Sequence, residues 1–67
     1  MKVFEFSYKV DYGGGIMLIG AKTLENAEII ANDEQPRTGF WSYEHEHAEL
    51  TYNGDNEGII TFYTFAG

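Results

Sequence analysis

Lys2-Val3-Phe4-Glu5-Phe6-Ser7-Tyr8-Lys9-Val10 is followed by Asp11-Tyr12-Gly13-Gly14-Gly15 and then by Ile16-Met17-Leu18-Ile19-Gly20-Ala21-Lys22. In the first segment Phe4, Phe6, Tyr8 and Val10 alternate with Glu5, Ser7 and Lys9. A period of two places the apolar set on one face of a strand. The glycine-rich segment predicts a hairpin turn, because glycine tolerates the positive φ that tight connections require. The third segment, from Ile16 to Lys22, predicts a second strand. It is apolar on both sides, Ile16 and Leu18 opposing Met17 and Ile19, which suits a central position in a sheet.

Downstream, the pattern changes period. Thr23 reads as a helix N-cap, and Leu24, Ala27, Ile30 and Ala31 form one apolar stripe. Glu25 and Glu28 favour the positive end of the helix dipole. Pro36 predicts the end of the helix, with Gln35 already outside it, so the helix spans about residues 24–33. So short a helix needs a sheet to pack on.

The last third is read as a long hairpin. Phe40-Trp41-Ser42-Tyr43 and Leu50-Thr51-Tyr52 favour strand; Glu44 to Glu49 has weak strand preference and suits a helix equally, and the flanks favour strand for it. Asn53-Gly54-Asp55-Asn56-Glu57-Gly58 is a turn cluster, and Ile59 to Phe65 the final strand. Ile60 and Phe62 face one way along it, Ile59, Tyr63 and Phe65 the other. The expected class is α+β: a single domain over residues 1–67, one antiparallel β-sheet of about four strands in the order ββαββ, and one short helix on one face. One helix leaves much of the other face uncovered, and an exposed apolar face marks an interface. A homodimer through that face is the first expectation, with a groove for a different protein and closure by a curled sheet or loops as the alternatives.

Composition narrows the function. The chain has 67 residues, no cysteine, and eleven aromatic residues that enlarge the core a domain of this size can build. Four Lys and Arg stand against eleven Asp and Glu, for a net charge of −7. Lys2, Lys9, Lys22 and Arg37 are the only strong cations, so residues 38–67 carry Glu44, Glu46, Glu49, Asp55 and Glu57 without one. Nucleic acid and anionic membrane are therefore unsuitable partners, and a protein with a basic surface is favoured. Met1 to Glu5 holds no secretory apolar region, and Ile16-Met17-Leu18-Ile19 is too short to span a bilayer. With no disulfide, a cytoplasmic location is expected.

The one cluster with chemical character is Glu44-His45-Glu46-His47-Ala48-Glu49. On a strand, His45, His47 and Glu49 share a face at steps of about 6.7 Å, a spacing from which two imidazoles and a carboxylate can ligate a divalent metal. The alternatives are a solvated polar face and pH-dependent contacts through the histidines. An acid–base reading puts Glu44 and Glu46 on one face and His45 and His47 on the other. Catalysis needs a concave, partly dry pocket, and no Ser or Thr lies in a nucleophile turn, so no enzymatic activity and no cofactor are expected. Gly13-Gly14-Gly15 lies between strands with no Gly-Lys-Ser/Thr after it, so it is read as a turn instead of a phosphate cradle. Phe40, Trp41 and Tyr43 have no basic neighbours for nucleic-acid stacking, and Trp41 is read as a core residue or an interface anchor.

These features combine in a binding reading. Glu44, Glu46, Glu49, Asp55 and Glu57 make a carboxylate surface, with Trp41 and Tyr43 as its aromatic anchors. In layout the chain resembles small acidic phage and mobile-element proteins, including anti-CRISPR and anti-restriction inhibitors. The resemblance lies in the whole layout and transfers no individual residue. It implies an inhibitor of a nucleic-acid-handling complex, presenting carboxylates to a basic groove.

Overall fold

The computed structural model describes residues 1–10, 13–38 and 40–66, and the side chains of residues 1–9, 13–33 and 41–61. Four strands, β1 (Lys2–Val10), β2 (Gly13–Ala21), β3 (Phe40–Glu46) and β4 (Gly58–Ala66), surround one helix, α1 (Leu24–Thr38), in the expected ββαββ sequence. All strand pairings are antiparallel, and the sheet order is β3-β1-β2-β4.

That order overturns the expected C-terminal hairpin. β3 and β4 lie on opposite edges of the sheet, and residues 47–57 form a connection with no strand in it. Placing one strand on each side gives both β1 and β2 a hydrogen-bonding neighbour along each edge. A β3–β4 hairpin would have left one of these apolar strands as an open edge. The expected glycine turn is also displaced. The β1–β2 ladder runs on through Tyr8↔Gly15 and Lys9↔Gly14 to Val10↔Gly13, so the glycines belong to β2. At Gly14 a Cβ would stand 2.7 Å from the Tyr8 carbonyl oxygen, so the ladder itself requires the missing side chain there. Asp11 and Tyr12 of the predicted turn lie outside the described residues, as do the side chains of Phe40, Phe62, Tyr63 and Phe65.

The core forms where the period-two and helical stripes meet. Phe4, Phe6, Met17, Ile19 and Ala21 from the sheet are buried against Ala27 and Ala31 of α1, with Leu24, Ile30, Trp41 and Ile59 around them. The two alanines keep the helix close to the sheet. Thr23 caps the helix as expected: its Oγ1 accepts from the Asn26 N–H at 3.2 Å. The helix then continues through Pro36 to Thr38, beyond the predicted end. Pro36 lacks the N–H that would bond the Asn32 carbonyl, so it weakens the last turns without terminating them.

Opposite the helix, the sheet is partly covered by its own chain. The Tyr52 ring lies between Gly20 and Gly54, and a Cβ on either glycine would run into it. Main-chain bonds hold this segment to the N-terminus. The Tyr52 N–H donates to the Met1 carbonyl at 3.1 Å, and the Met1 ammonium to the Tyr52 carbonyl at 3.0 Å. Val3, which shares this face with Gly20, is buried, while Ile16 and Leu18 are half-buried.

Candidate functional site

The site is built by a β-bulge in the edge strand. Between β1 and β3 the register passes from Phe6↔Tyr43 to Glu5↔His45, leaving Glu44 as the extra residue. Tyr43 lies on the helix side, its ring 5.6 Å from that of Phe6. Glu44 and His45 both face the other side. The Glu44 carboxylate accepts from Ser7 Oγ at 2.8 Å, and His45 stands over Glu5. This corrects the expected alternation, in which Glu44 and Glu46 share a face. The bulge separates them, and Glu46 pairs across from Phe4.

β3 ends at Glu46, so the predicted strand through residues 47–52 is replaced by a turn closed by the Leu50 N–H on the His47 carbonyl at 3.0 Å. The His47 N–H still reaches the Val3 carbonyl at 2.8 Å, which fixes its side chain beside His45. The two imidazole centroids are 4.5 Å apart. His47 Nε2 lies 2.7 Å from Glu5 Oε1, and His45 Nε2 lies 3.7 Å from the same oxygen. Glu49 does not stand in file with the histidines. It approaches His47 from behind, its Oε1 3.1 Å from Nδ1. His47 and Glu5 are largely enclosed, with side chains 20% and 18% exposed, whereas His45 is 57% exposed.

Charge distribution follows from these contacts. Hydrogen bonding to Glu5, and then to Glu49, raises the His47 pKa above its ordinary value. The Glu49 carboxyl is held below its ordinary value, first by its own backbone N–H and then by His47. Among the described residues, Glu5 and Glu49 find their ion-pair partners in histidines.

The other predicted binding residues divide. Glu44, Glu46 and Glu49 are exposed around the end of β3, and Tyr43 beside them is 38% exposed. Trp41 is engaged internally: its ring meets Phe6 edge-on at 5.1 Å, and its Nε1 donates to Asn32 Oδ1 at 3.1 Å. Asp55 is exposed in the connection. Glu57 sits at the β2–α1 junction, where it accepts from the Lys22 backbone N–H at 2.7 Å and the Asn26 amide at 3.1 Å. These two donors, Lys22 first, lower its pKa. Glu5 is the residue that sequence reading missed. Its only signal was its place on the polar side of β1, and nothing local ties that to residues 45 and 47.

Two open depressions, of about 380 and 340 Å³, adjoin Ser7, Tyr8 and Lys9, with Trp41 and Ser42 lining the first and Gly13 to Ile16 the second. Neither includes His45 or His47. Among the described residues no helix is long and apolar enough to cross a membrane. No protein-family model, no characterised protein and no solved structure matches the chain.

Proposed function

We propose that the protein is a non-enzymatic binding module that engages a basic surface on a protein partner through β3 and the turn after it. One observation carries this reading: Glu44, Glu46 and Glu49 are exposed on and just beyond an edge strand, and residues 38–67 of the sequence hold no Lys or Arg, His47 being the group that meets Glu49. Among the described residues β3 has a sheet neighbour on one side only, and Tyr43 adds a half-exposed ring on the helix side of the same strand. A groove built for phosphates has the complementary charge, which makes inhibition of a nucleic-acid-handling complex the form of binding this surface suits best.

The test is capture from a lysate of the source cell by tagged protein, comparing the wild type with the double variant E44Q/E46Q. Both side chains are exposed, so the exchange leaves the core intact. Salt is stepped from low to high, shortening the Debye length from about 10 Å at 0.1 M to about 3 Å at 1 M. Expected is a basic protein retained at low salt, released at high salt, and lost to the double variant. Capture indifferent to both salt and the substitutions refutes the reading.

A further inference from the structure

Glu5, His45 and His47 each offer one ligand atom, and these atoms all lie within 4.8 Å of one another. We propose that they bind a divalent cation of the zinc class, with Glu49 orienting His47 from its far nitrogen. The assignment requires neither a partner nor Glu44 and Glu46, and Glu49, which both readings use, is not a ligand in it, so metal binding is tested apart from the acidic-edge reading.

His47 stands between two carboxylates, Glu49 at Nδ1 and Glu5 at Nε2. A neutral imidazole has one N–H and one lone pair, so it can donate to only one of them. At the other it would set a lone pair against a carboxylate oxygen. A positive centre is needed between Nε2 and Glu5 Oε1, either a proton or a metal ion. His45 bears on the choice, because in its neutral form its Nε2 lone pair can ligate a metal ion, a third donor that a proton-bridged pair does not need. A proton shared over 2.7 Å is complete with His47 and Glu5 alone, yet His45 Nε2 is also turned to the same Oε1 from 3.7 Å. Its lone pair completes a three-ligand set.

Distances and donor types fit this cation. Tetrahedral ligands about 2.0–2.1 Å from zinc stand about 3.3 Å from one another, and the observed 2.7 and 3.7 Å bracket that value. Closing the set moves these two distances by roughly half an ångström and brings the two imidazole nitrogens, which stand within 4.8 Å of each other, to the same spacing. Two imidazoles with one carboxylate suit zinc and its first-row neighbours, whereas calcium and magnesium favour oxygen alone. Glu49 on Nδ1 is the outer carboxylate that fixes a ligating histidine's tautomer and leaves its Nε2 lone pair for the metal. Because His45 is mostly exposed, the remaining coordination position faces solvent, open to water or to a donor from another molecule.

The experiment is thermal unfolding of the purified full chain with Zn²⁺ alone, reversed by EDTA, with stoichiometry read by calorimetric titration. Expected are one ion per chain and a rise in Tm of about 10 °C or more when free Zn²⁺ stands a hundredfold above Kd. His45→Ala, at an exposed position, should keep the metal-free Tm and lose most of the rise. Glu49→Gln should keep one ion per chain while weakening affinity about 10–100-fold, the signature of a positioning residue. Absence of a rise in the wild type, or a rise undiminished in His45→Ala, overturns the proposal and leaves the imidazolium proton as the positive centre.

Discussion

Gly20→Ala tests how the second face of the sheet is closed. In open space this exchange in a strand would stabilise, since glycine costs about 0.5–1 kcal/mol relative to alanine in a regular element. Here the new Cβ meets three carbons of the Tyr52 ring, all nearer than a real Cβ tolerates. A flexible ring would normally retreat. This one also has Gly54 packed on it, where a Cβ would collide with the outer end of the ring. The ring must therefore leave its slot and take the centre of the 47–57 connection with it. An aromatic side chain buries about 150–250 Å², and Tyr52 is half-buried, so about 100 Å² returns to water. At about 25 cal/mol per Å² the loss is about 2.5 kcal/mol. A chain of this length has a total stability of roughly 3–10 kcal/mol, so Tm should fall by about 10–20 °C.

The assay is urea unfolding followed by circular dichroism, run as a cycle with Tyr52→Ala. With the ring gone, Gly20→Ala has nothing to strike. Its cost should vanish, or become a gain of up to about 1 kcal/mol. A Gly20→Ala penalty that persists unchanged in the Tyr52→Ala background would show that the clash is not with Tyr52. The account of how the chain covers its own second face would then be wrong.

Two further outcomes follow from side-chain contacts of the helix, one at its N-terminal end and one in its middle. Glu57 has a lowered folded-state pKa, so its contribution is fully present above the unfolded carboxylate value and is lost as pH falls through the folded one; Glu57→Gln should flatten the acid limb of a stability–pH curve below about pH 4.5 while changing its slope little at neutral pH. Asn32→Ala should cost about 0.5–1.5 kcal/mol in urea unfolding by removing the acceptor of the Trp41 N–H, and add no further loss in a Trp41→Phe background, which already lacks the donor.

What sequence could show is what local period controls. Phe4, Phe6 and Tyr8 on one face, the Thr23 cap and the Leu24, Ala27, Ile30 and Ala31 stripe all depend on neighbours within a turn or a strand, and all appear as expected. The glycine segment failed as a turn because it runs on in the β1–β2 ladder, where the missing side chain of Gly14 makes room for the Tyr8 carbonyl, a demand set by the partner strand. The C-terminal hairpin failed for a related reason. Two strands separated by a turn cluster pair with each other unless better edges exist, and the β1–β2 hairpin offered two. That competition is energetic and long-range, and no window of sequence records it.

The histidine cluster shows how a single inserted residue settles a site. Continued alternation from Tyr43, which lies on the helix side, would carry His45 and His47 onto that same side, next to Phe4. Glu44 and Glu46 would take the open face. The bulge leaves Glu44 on the open face and reverses the residues after it, so that His45 follows Glu44 onto that face. It keeps the imidazoles two residues apart, as their spacing requires, but delivers them to the face where β1 presents Glu5 and Ser7. The His-x-His spacing was legible because it is local. Its third member was not, because that depends on register across 42 residues of chain and on one irregularity in it. Polar residues gathered on the face away from the core leave the apolar packing under the helix undisturbed. The same bulge that assembles Glu5, His45 and His47 therefore also keeps two imidazoles out of a core that has no partners for them.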